Sequence, residues 1–361
     1  MMKTENLIHL PLEPYKQRYT EHLHLWEQEE FADKFNYTSI VPKQEQAVTH
    51  IRGGEVLDSM QRPMWSMQQM ETLLRHHGNK DMGKIYFSDF YTTGLDALGY
   101  SRNKFQAFAF CWAQSFDVFD FTFTNPEIFK WMRAWEMMAS AIYTKVFVAC
   151  QELKDLICIA APGMGSKVEV VGLPFNSAYV LKEFDPQYEN GDKFDVVYSS
   201  RWDREKNPSL FVDLVEKRDD LRFAVCTGWD ELRGTDYMAV QRANKLASEG
   251  RLTVFTGCDK GQYYAVLSQS RVQLNTALQD WVSFTLLEAL TYGCMPLYPN
   301  FRSFPETLMY SEGNLYTPYS VGSLSNKLDA LLGLDDFIYR NDILEYHNNS
   351  LNRIAQIIEQ T

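Results

Sequence analysis

The amino-acid sequence predicts an α/β protein with two Rossmann-like domains and a cleft between them. Short apolar runs alternate with longer amphipathic runs, which is typical of parallel sheets with helices on both faces. This alternation stops over residues 176–193 and then restarts. The length of 361 residues also suits about two domains.

The first domain is expected over residues 1–175. Thr20 is the expected N-cap of its first helix, Gly78 is expected to end the second, and Pro126 suits the first turn of the third. The predicted strands are "NLIHLPL", "YTSIVP", "KIYFSDF", "FQAFAFCW", "KVFVAC" and "KVEVVGLP". The predicted helices are "TEHLHLWEQEEFADKF", "PMWSMQQMETLLRHHG", "PEIFKWMRAWEMMASAIY" and "QELKDLICIAAPG".

Residues 176–193 are polar and contain a proline and a glycine, so a linker is expected there. The second domain is expected over residues 194–337, and a helix within 338–361 is expected to pack back toward the first domain. The predicted strands of the second domain are "FDVVYSS", "LRFAVCTG", "RLTVFTG", "VQLNTA" and "MPLYP". Its predicted helices are "PSLFVDLVEKR", "DYMAVQRANKLASEG", "GQYYAVLSQS", "SFTLLEALTYG" and "VGSLSNKLDALLG".

Composition and charge narrow the classes of protein. No apolar run reaches the ~18 residues of a membrane span, and the N-terminus does not resemble a signal peptide. The six cysteines are widely spaced, which indicates reduced thiols in a cytoplasmic protein. The net charge of −12 argues against a broad nucleic-acid-binding surface. The first 180 residues are nearer neutral, with 17 Lys and Arg against 21 Asp and Glu.

Two cations follow the first strand of the second domain. Arg201 and Lys206 precede a helix that is expected to begin at Asn207-Pro208. Two positive charges beside a helix N-terminus suit a diphosphate, because unpaired backbone N–H groups add to the attraction. The alternative is a pair of solvated loop charges.

Two carboxylates flank another predicted helix start. Asp280 lies in a loop, Ser283 could cap the following helix, and Glu288 lies about one and a half turns into it. Carboxylates suit sugar hydroxyls because they accept several directional hydrogen bonds. Gly257 could let a planar base approach the backbone closely. The alternatives are two carboxylates facing water and an ordinary tight turn.

Together these elements resemble the nucleotide-sugar glycosyltransferases of the GT-B type, and most of all their large retaining family 4. The resemblance covers residues 194–310 and includes "FTG", "LLEALTYGCMPLYP" and "FPE". It implies that Arg201 and Lys206 hold the donor diphosphate, Glu288 the ribose and Asp280 the sugar. Ser283 and Phe284 are expected to line the same donor site. Asp280 replaces the family's usual Glu, and "WVSFTLL" lacks the glycines usual in that loop.

The first domain matches this family less well, since its first loop "PLEPYKQRYTEH" has no glycine. Glu13, Lys16 and Arg18 are candidate donor, acceptor or phosphate contacts in this loop, and surface charge is the alternative. Asp117 is the candidate for orienting or deprotonating the acceptor hydroxyl, with a capping role as the alternative. Asp89 is a weaker candidate for the same role. Glu13, Asp117 and Asp280 are thus the candidate catalytic residues.

The resemblance implies a retaining, metal-independent transferase with a nucleoside-diphosphate sugar as co-substrate. No histidine pair has metal-ligand spacing, so no essential metal is expected. The first loop and the aromatic-rich chain also resemble tailed-phage glycosyltransferases, which favours a hydroxylated or hydroxymethylated DNA base as acceptor in a host cytoplasm. The expected DNA path follows basic residues of the first domain, namely Lys16, Arg18, Arg75, Lys80, Lys84, Arg102, Lys104, Lys130 and Arg133.

Other functions stay open at this point. The acceptor could instead be a glycan, a small molecule or a protein. A nucleotide-sugar epimerase or a non-catalytic binder of nucleotide sugars would have the same two-domain layout. No membrane partner is expected, and the sequence does not determine the oligomeric state.

Overall fold

A computed structural model describes residues 5–15, 18–43, 61–78, 81–101, 104–120, 123, 126–183 and 193–361. The chain forms two compact units. The first is Met1–Phe175 together with Asn349–Thr361, and the second is Asn176–Asn348. Within the described ranges, no helix has the length and apolar character required to cross a membrane.

The first unit is built on a six-stranded sheet in which every pair of neighbours is parallel. The strand order is β2-β1-β3-β4-β5-β6. The strands are β1 Asn6–Leu10, β2 Asn36–Ser39, β3 Gly83–Phe87, β4 Phe105–Phe110, β5 Lys145–Val148 and β6 Val168–Val170. Most of their residues are buried, as expected when helices cover both faces of a parallel sheet.

Five helices described in the first unit flank this sheet. They are α1 Tyr19–Lys34, α2 Gln61–His77, α3 Pro126–Ile142, α4 Gln151–Ala160 and, from the end of the chain, α13 Ser350–Gln360. Helix α13 packs on α1, where Lys34 Nζ donates to Asn352 Oδ1 at 2.7 Å. Lys84 of β3 donates to the carbonyls of Ile358 and Glu359, which are among the last carbonyls of α13. The chain therefore ends as part of the first unit.

The second unit contains another all-parallel six-stranded sheet, in the order β12-β11-β10-β7-β8-β9. Its strands are β7 Phe194–Tyr198, β8 Phe223–Cys226, β9 Thr253–Phe255, β10 Ser270–Leu274, β11 Met295–Pro299 and β12 Leu315–Tyr316. The order reverses between β7 and β10, which are neighbours in the sheet. In such sheets ligands bind at this reversal, beyond the carboxyl ends of the strands.

The second unit has eight helices among its described residues. They are α5 Ser177–Glu183, α6 Pro208–Lys217, α7 Tyr237–Ser248, α8 Lys260–Ser268, α9 Phe284–Thr291, α10 Phe304–Thr307, α11 Val321–Leu332 and α12 Arg340–Asn348. Helix α9 has five buried residues out of eight and packs against α5 and α12. Gly293 follows it with a φ of 91°, so the end of the predicted helix "SFTLLEALTYG" at its last residue is confirmed.

The predicted α/β class with two parallel sheets is confirmed, but three local predictions were wrong. Thr20 lies inside α1, and its hydroxyl accepts from the Tyr15 amide at 3.1 Å instead of capping the helix. Residues 177–183 of the expected linker form α5, in the second unit. The expected last helix is two helices, because α12 ends at Asn348 and α13 begins at Ser350.

Candidate functional site

The loop after β7 places Arg201 and Lys206 at the carboxyl edge of the second sheet. Residues Arg204–Lys206 form one 3-10 turn, and Asn207, with a φ of 48°, leads directly into α6. The predicted helix start at Asn207-Pro208 is confirmed. Pro208 suits the first helical position because it needs no hydrogen-bond acceptor for its nitrogen.

Lys206 reaches the loop that follows β10. Its Nζ donates to the Gln279 carbonyl at 2.5 Å and lies 3.7 Å from Asp280 Oδ2. The Lys206 side chain is only 11% exposed, so the carboxylate nearby offsets part of the cost of burying an ammonium group. The structure thus brings together Lys206 and Asp280, two candidates that are 74 positions apart in the sequence.

Arg201 lies in the same loop but is more accessible, with 44% of its side chain exposed. Its guanidinium donates to Asp203 Oδ2 at 2.6 Å and to Glu205 Oε1 at 2.7 Å. These two contacts occupy both terminal nitrogens and orient the side chain. A bound diphosphate would have to share or replace these carboxylate partners.

The loop that carries Asp280 is held by a buried serine that the sequence did not indicate. Ser303 is fully buried, and its hydroxyl lies 3.0 Å from the Asp280 carbonyl and 2.6 Å from the Trp281 carbonyl. The Arg302 guanidinium lies 4.8 Å from the centre of the Trp281 ring, within range of a cation–π contact. These contacts fix the backbone at Asp280.

Ser283 occupies the N-cap position of α9, but its hydroxyl does not cap the helix. It hydrogen-bonds to the Thr285 hydroxyl at 2.6 Å instead. Phe284 is the first residue of α9, directly after Ser283. The N-terminus of α9 therefore carries no side-chain cap from Ser283, although Ser283 lies where the sequence placed the cap.

Glu288 is buried within α9, with 6% of its side chain exposed. Its Oε1 accepts a hydrogen bond from the Tyr264 hydroxyl at 2.9 Å and an ion-pair contact from Lys260 Nζ. Burial, followed by the charge of Glu288, raises the pKa of Tyr264, so this phenol stays protonated and donates to the carboxylate. Sequence reasoning missed Lys260 and Tyr264. The capping box Asp259-x-x-Gln262, which marks the start of α8, could have indicated them.

Gly257 forms the turn between β9 and α8. Its φ of 64° is the left-handed region that favours glycine, and its amide donates to the Trp229 carbonyl at 2.6 Å. A Cβ at this position would lie 3.6 Å from Asp230 Oδ1. The turn is therefore held close to the loop that follows β8.

Two cysteines meet beside this turn. The Cys258 amide donates to the Thr227 carbonyl at 3.1 Å, which brings Cys258 next to Cys226 at the end of β8. A hydrogen bond from the Cys226 thiol lowers the pKa of Cys258, and the same bond with burial raises the pKa of Cys226. All six cysteines are free thiols.

The first-unit candidates that follow β1 differ in burial, because Glu13 is buried whereas Arg18 is half-buried. Glu13 is 3% exposed, and its Oε2 accepts from the Tyr15 hydroxyl, whose pKa is raised by burial and by that bond. Arg18 directly precedes α1, and its amide donates to the Tyr15 carbonyl at 3.0 Å. Lys16 lies outside the described residues. The roles of these three side chains stay predictions.

The aspartates of the first unit make local contacts. Asp117 is 2% exposed, and its Oδ1 accepts from the Phe119 amide at 3.0 Å, which is a turn-stabilising bond. Asp89 forms an ion pair with Arg62 and accepts from the Tyr91 amide. One oxygen of Asp117 thus has a structural partner, and its role toward an acceptor stays a prediction.

Two residues of the expected DNA path do not form part of a free basic surface. Lys84 is 8% exposed and is bound to Glu5 and to the end of α13. The Arg133 guanidinium lies over the Phe116 ring, 3.5 Å from its centre, and Nη1 lies 3.6 Å from Glu136 Oε2. Arg75 is exposed and paired with Glu71, and Lys104 and Lys130 are also exposed. Lys80 and Arg102 lie outside the described residues.

No group of three or more His, Cys, Asp and Glu side chains in the part of the chain that the structure describes is arranged to hold a metal ion. That the reaction needs no metal stays a prediction.

The two-unit architecture matches solved structures over nearly the whole chain. A trehalose-6-phosphate synthase, OtsA, has a TM-score of 0.69 at 12% identity and covers 99% of both chains. A sucrose-phosphate synthase from Thermosynechococcus elongatus has a TM-score of 0.65 at 12% identity, covering 99% of this chain and 98% of that one. HepE from Anabaena, in complex with UDP-glucose, has a TM-score of 0.63 at 13% identity and covers 99% of both. The fold is therefore the GT-B fold of glycosyltransferases.

Sequence comparison adds a protein family to which the second unit is similar. Residues 181–349 match the model of the family described as Glycosyl transferases group 1. A tRNA-queuosine alpha-mannosyltransferase of Drosophila melanogaster is 28% identical over 137 residues, which is 37% of this chain and 34% of that protein. The matched region thus spans about a third of the length of this relative. Over these residues the second unit is thus similar to the glycosyl transferases group 1 family.

Proposed function

We propose that this protein transfers a sugar from a nucleoside-diphosphate sugar, held by the second unit, to an acceptor hydroxyl. The observation that carries the proposal is the contact between Lys206 and Asp280, with Nζ 3.7 Å from Oδ2, at the carboxyl edge of the second sheet. A cation for the diphosphate and a carboxylate for the sugar hydroxyls thus lie side by side. The match of residues 181–349 to a glycosyltransferase family supports the same proposal.

The proposed donor follows the carboxyl edge of the second sheet. Lys206 and Arg201 bind the diphosphate and offset the charge that builds up on it as the sugar leaves. Asp280 accepts hydrogen bonds from the sugar, and Glu288 accepts them from the ribose. Because Lys206 and Arg201 supply positive charge without a metal, we propose a metal-independent reaction. Retention of configuration would follow from attack on the same face, with the donor phosphate accepting the acceptor proton.

We propose a base-modified nucleic acid as the acceptor. A hydroxymethylated DNA base is the first candidate, as the sequence predicted. The Drosophila relative, whose name gives a tRNA nucleoside as substrate, supports tRNA as the second candidate. The net charge of −12 opposes broad polyanion binding, so recognition would have to depend on a small local surface that includes Lys104 and Lys130. The six free thiols favour the cytoplasm as the location.

The test combines donor selection with product analysis. Thermal shift with UDP, GDP, ADP and their sugars identifies the donor, because a ligand that binds only the folded state raises Tm. The selected donor is then incubated with hydroxymethylated DNA, unmodified DNA and tRNA, and released nucleotide and the mass of the nucleic acid are measured. We expect release that depends on the acceptor, with one added sugar. Nucleotide binding without transfer to any of these three nucleic acids would contradict the proposed acceptor, and conversion of the donor sugar without an acceptor would indicate an epimerase.

A further inference from the structure

Helix α8 directs two side chains at one carboxylate of α9. Asp259 caps α8 reciprocally with Gln262, since the Gln262 amide donates to Asp259 Oδ1 at 2.8 Å and the Gln262 side chain accepts from the Asp259 amide at 3.1 Å. This fixed start places Lys260 in the first helical position and Tyr264 one turn later on the same face. Both side chains then contact Glu288.

Both contacts fall on the same oxygen, Oε1 of Glu288. Among the described residues, none is hydrogen-bonded to Oε2, which leaves this oxygen to accept from a ligand. Lys260 is itself largely buried, with 17% of its side chain exposed, and its Nζ lies 5.2 Å from the centre of the Tyr264 ring. The carboxylate is therefore fixed on one side and available on the other.

Fixing the carboxylate has a chemical consequence for ligand binding. A glutamate that is free to rotate loses side-chain entropy when it binds a ligand, whereas a glutamate already held in place does not. A ribose with two neighbouring hydroxyls would bind most strongly to this arrangement, because both hydroxyls can donate to the oriented carboxylate.

We propose that Lys260 is a positioning residue that orients Glu288 for the ribose of the donor and so sets the discrimination between ribonucleotides and 2′-deoxyribonucleotides. This inference depends on the proposed function, in which Glu288 binds the ribose. Lys260 does not touch the nucleotide itself. Its removal therefore weakens binding only where the ligand offers a hydroxyl to Glu288.

The experiment measures Kd by calorimetry for UDP, GDP and their 2′-deoxy forms. The variants are Lys260→Met, Lys260→Arg and Glu288→Gln, with Lys245→Met as a matched control, since Lys245 is 76% exposed and pairs only loosely with Glu249 at 3.8 Å. We expect the natural chain to prefer the better ribonucleotide over its deoxy form by ~10-fold or more, the range of a charged hydrogen bond.

Lys260→Met should weaken ribonucleotide binding by ~10-fold and leave 2′-deoxynucleotide binding within about twofold. Lys260→Arg should restore most of the discrimination, and adding Lys260→Met to Glu288→Gln should cost nothing further, because both changes disrupt the same contact. Equal weakening of both ligands by Lys260→Met, or unchanged discrimination, would overturn the role of Lys260 alone. If no nucleoside diphosphate binds the natural chain, the proposed function fails together with this inference.

Discussion

Replacing Lys206 by Met separates binding of the donor from stability of the fold. Met keeps most of the side-chain length but removes the ammonium group, which now donates to the Gln279 carbonyl at 2.5 Å and lies 3.7 Å from Asp280. A hydrogen bond from a charged group contributes about 1.5–3 kcal/mol, so the loss of one to a phosphate oxygen weakens binding by roughly 10- to 150-fold.

The cost to the fold should be smaller. The Coulomb attraction of such a pair is about 4 kcal/mol at an effective dielectric constant of 20, but the cost of desolvation offsets most of it. Because 26% of the Asp280 side chain is exposed, we expect a net loss of about 1 kcal/mol in the free energy of unfolding. This corresponds to about 2–4 °C in Tm for a unit of this size.

Calorimetric titration with the nucleoside diphosphate that binds best, together with a thermal melt, measures both quantities. Lys217→Met is the matched control, because Lys217 is an exposed lysine in the last turn of α6, the helix that follows Lys206. We expect the control to bind like the natural chain. If Lys206→Met binds the nucleotide unchanged, or if Lys217→Met loses as much affinity, Lys206 does not hold the diphosphate.

Four further predictions concern the same edge of the second sheet. Arg201→Ala should weaken nucleotide binding by ~10-fold with little change in Tm, since the ion pairs of Arg201 are partly exposed. Arg222 is an exposed arginine paired with Asp195, so the control Arg222→Ala should leave the calorimetric Kd unchanged. Gly257→Ala should lower the free energy of unfolding by about 1–2 kcal/mol in chemical denaturation, because its φ is 64°, whereas Gly261→Ala, inside α8, should not destabilise. Iodoacetamide should label Cys258 before Cys226, as followed by mass spectrometry. The pH midpoint for labelling Cys258 should lie below the ordinary thiol pKa and should rise in Cys226→Ala. Labelling of Cys226 before Cys258 would contradict this prediction. Chelation with EDTA should leave transfer activity unchanged, and a loss that Mg²⁺ or Mn²⁺ restores would show a metal requirement.

The sequence predicts the layers of this fold well because a parallel sheet imposes a strong local pattern. Buried strands appear as continuous apolar runs, and the helices between them show a clear amphipathic period. The pattern fails where local and tertiary preferences compete. Residues 176–193 as a whole are polar enough to suggest a linker, yet residues 177–183 form α5, which packs against α9.

In the candidate site, too, some residues can be predicted from the sequence and others cannot. Arg201, Lys206, Asp280 and Glu288 could be chosen from the sequence because they lie near predicted strand ends and helix starts and match the motifs of a known glycosyltransferase family. The partners that orient them could not be chosen this way. Lys260 contacts a carboxylate 28 positions away, and Ser303 contacts a carbonyl 22 positions away, so only the fold brings these groups together.

The most direct test of the account is a crystal structure of the chain with its nucleoside-diphosphate sugar bound. The account predicts that the diphosphate contacts Lys206 and Arg201 and that Asp280 accepts a hydrogen bond from the sugar. It also predicts that Oε2 of Glu288 accepts hydrogen bonds from the ribose hydroxyls while Oε1 keeps its contacts with α8. A ligand bound away from the carboxyl edge of the second sheet, or a ribose that does not contact Glu288, would contradict it.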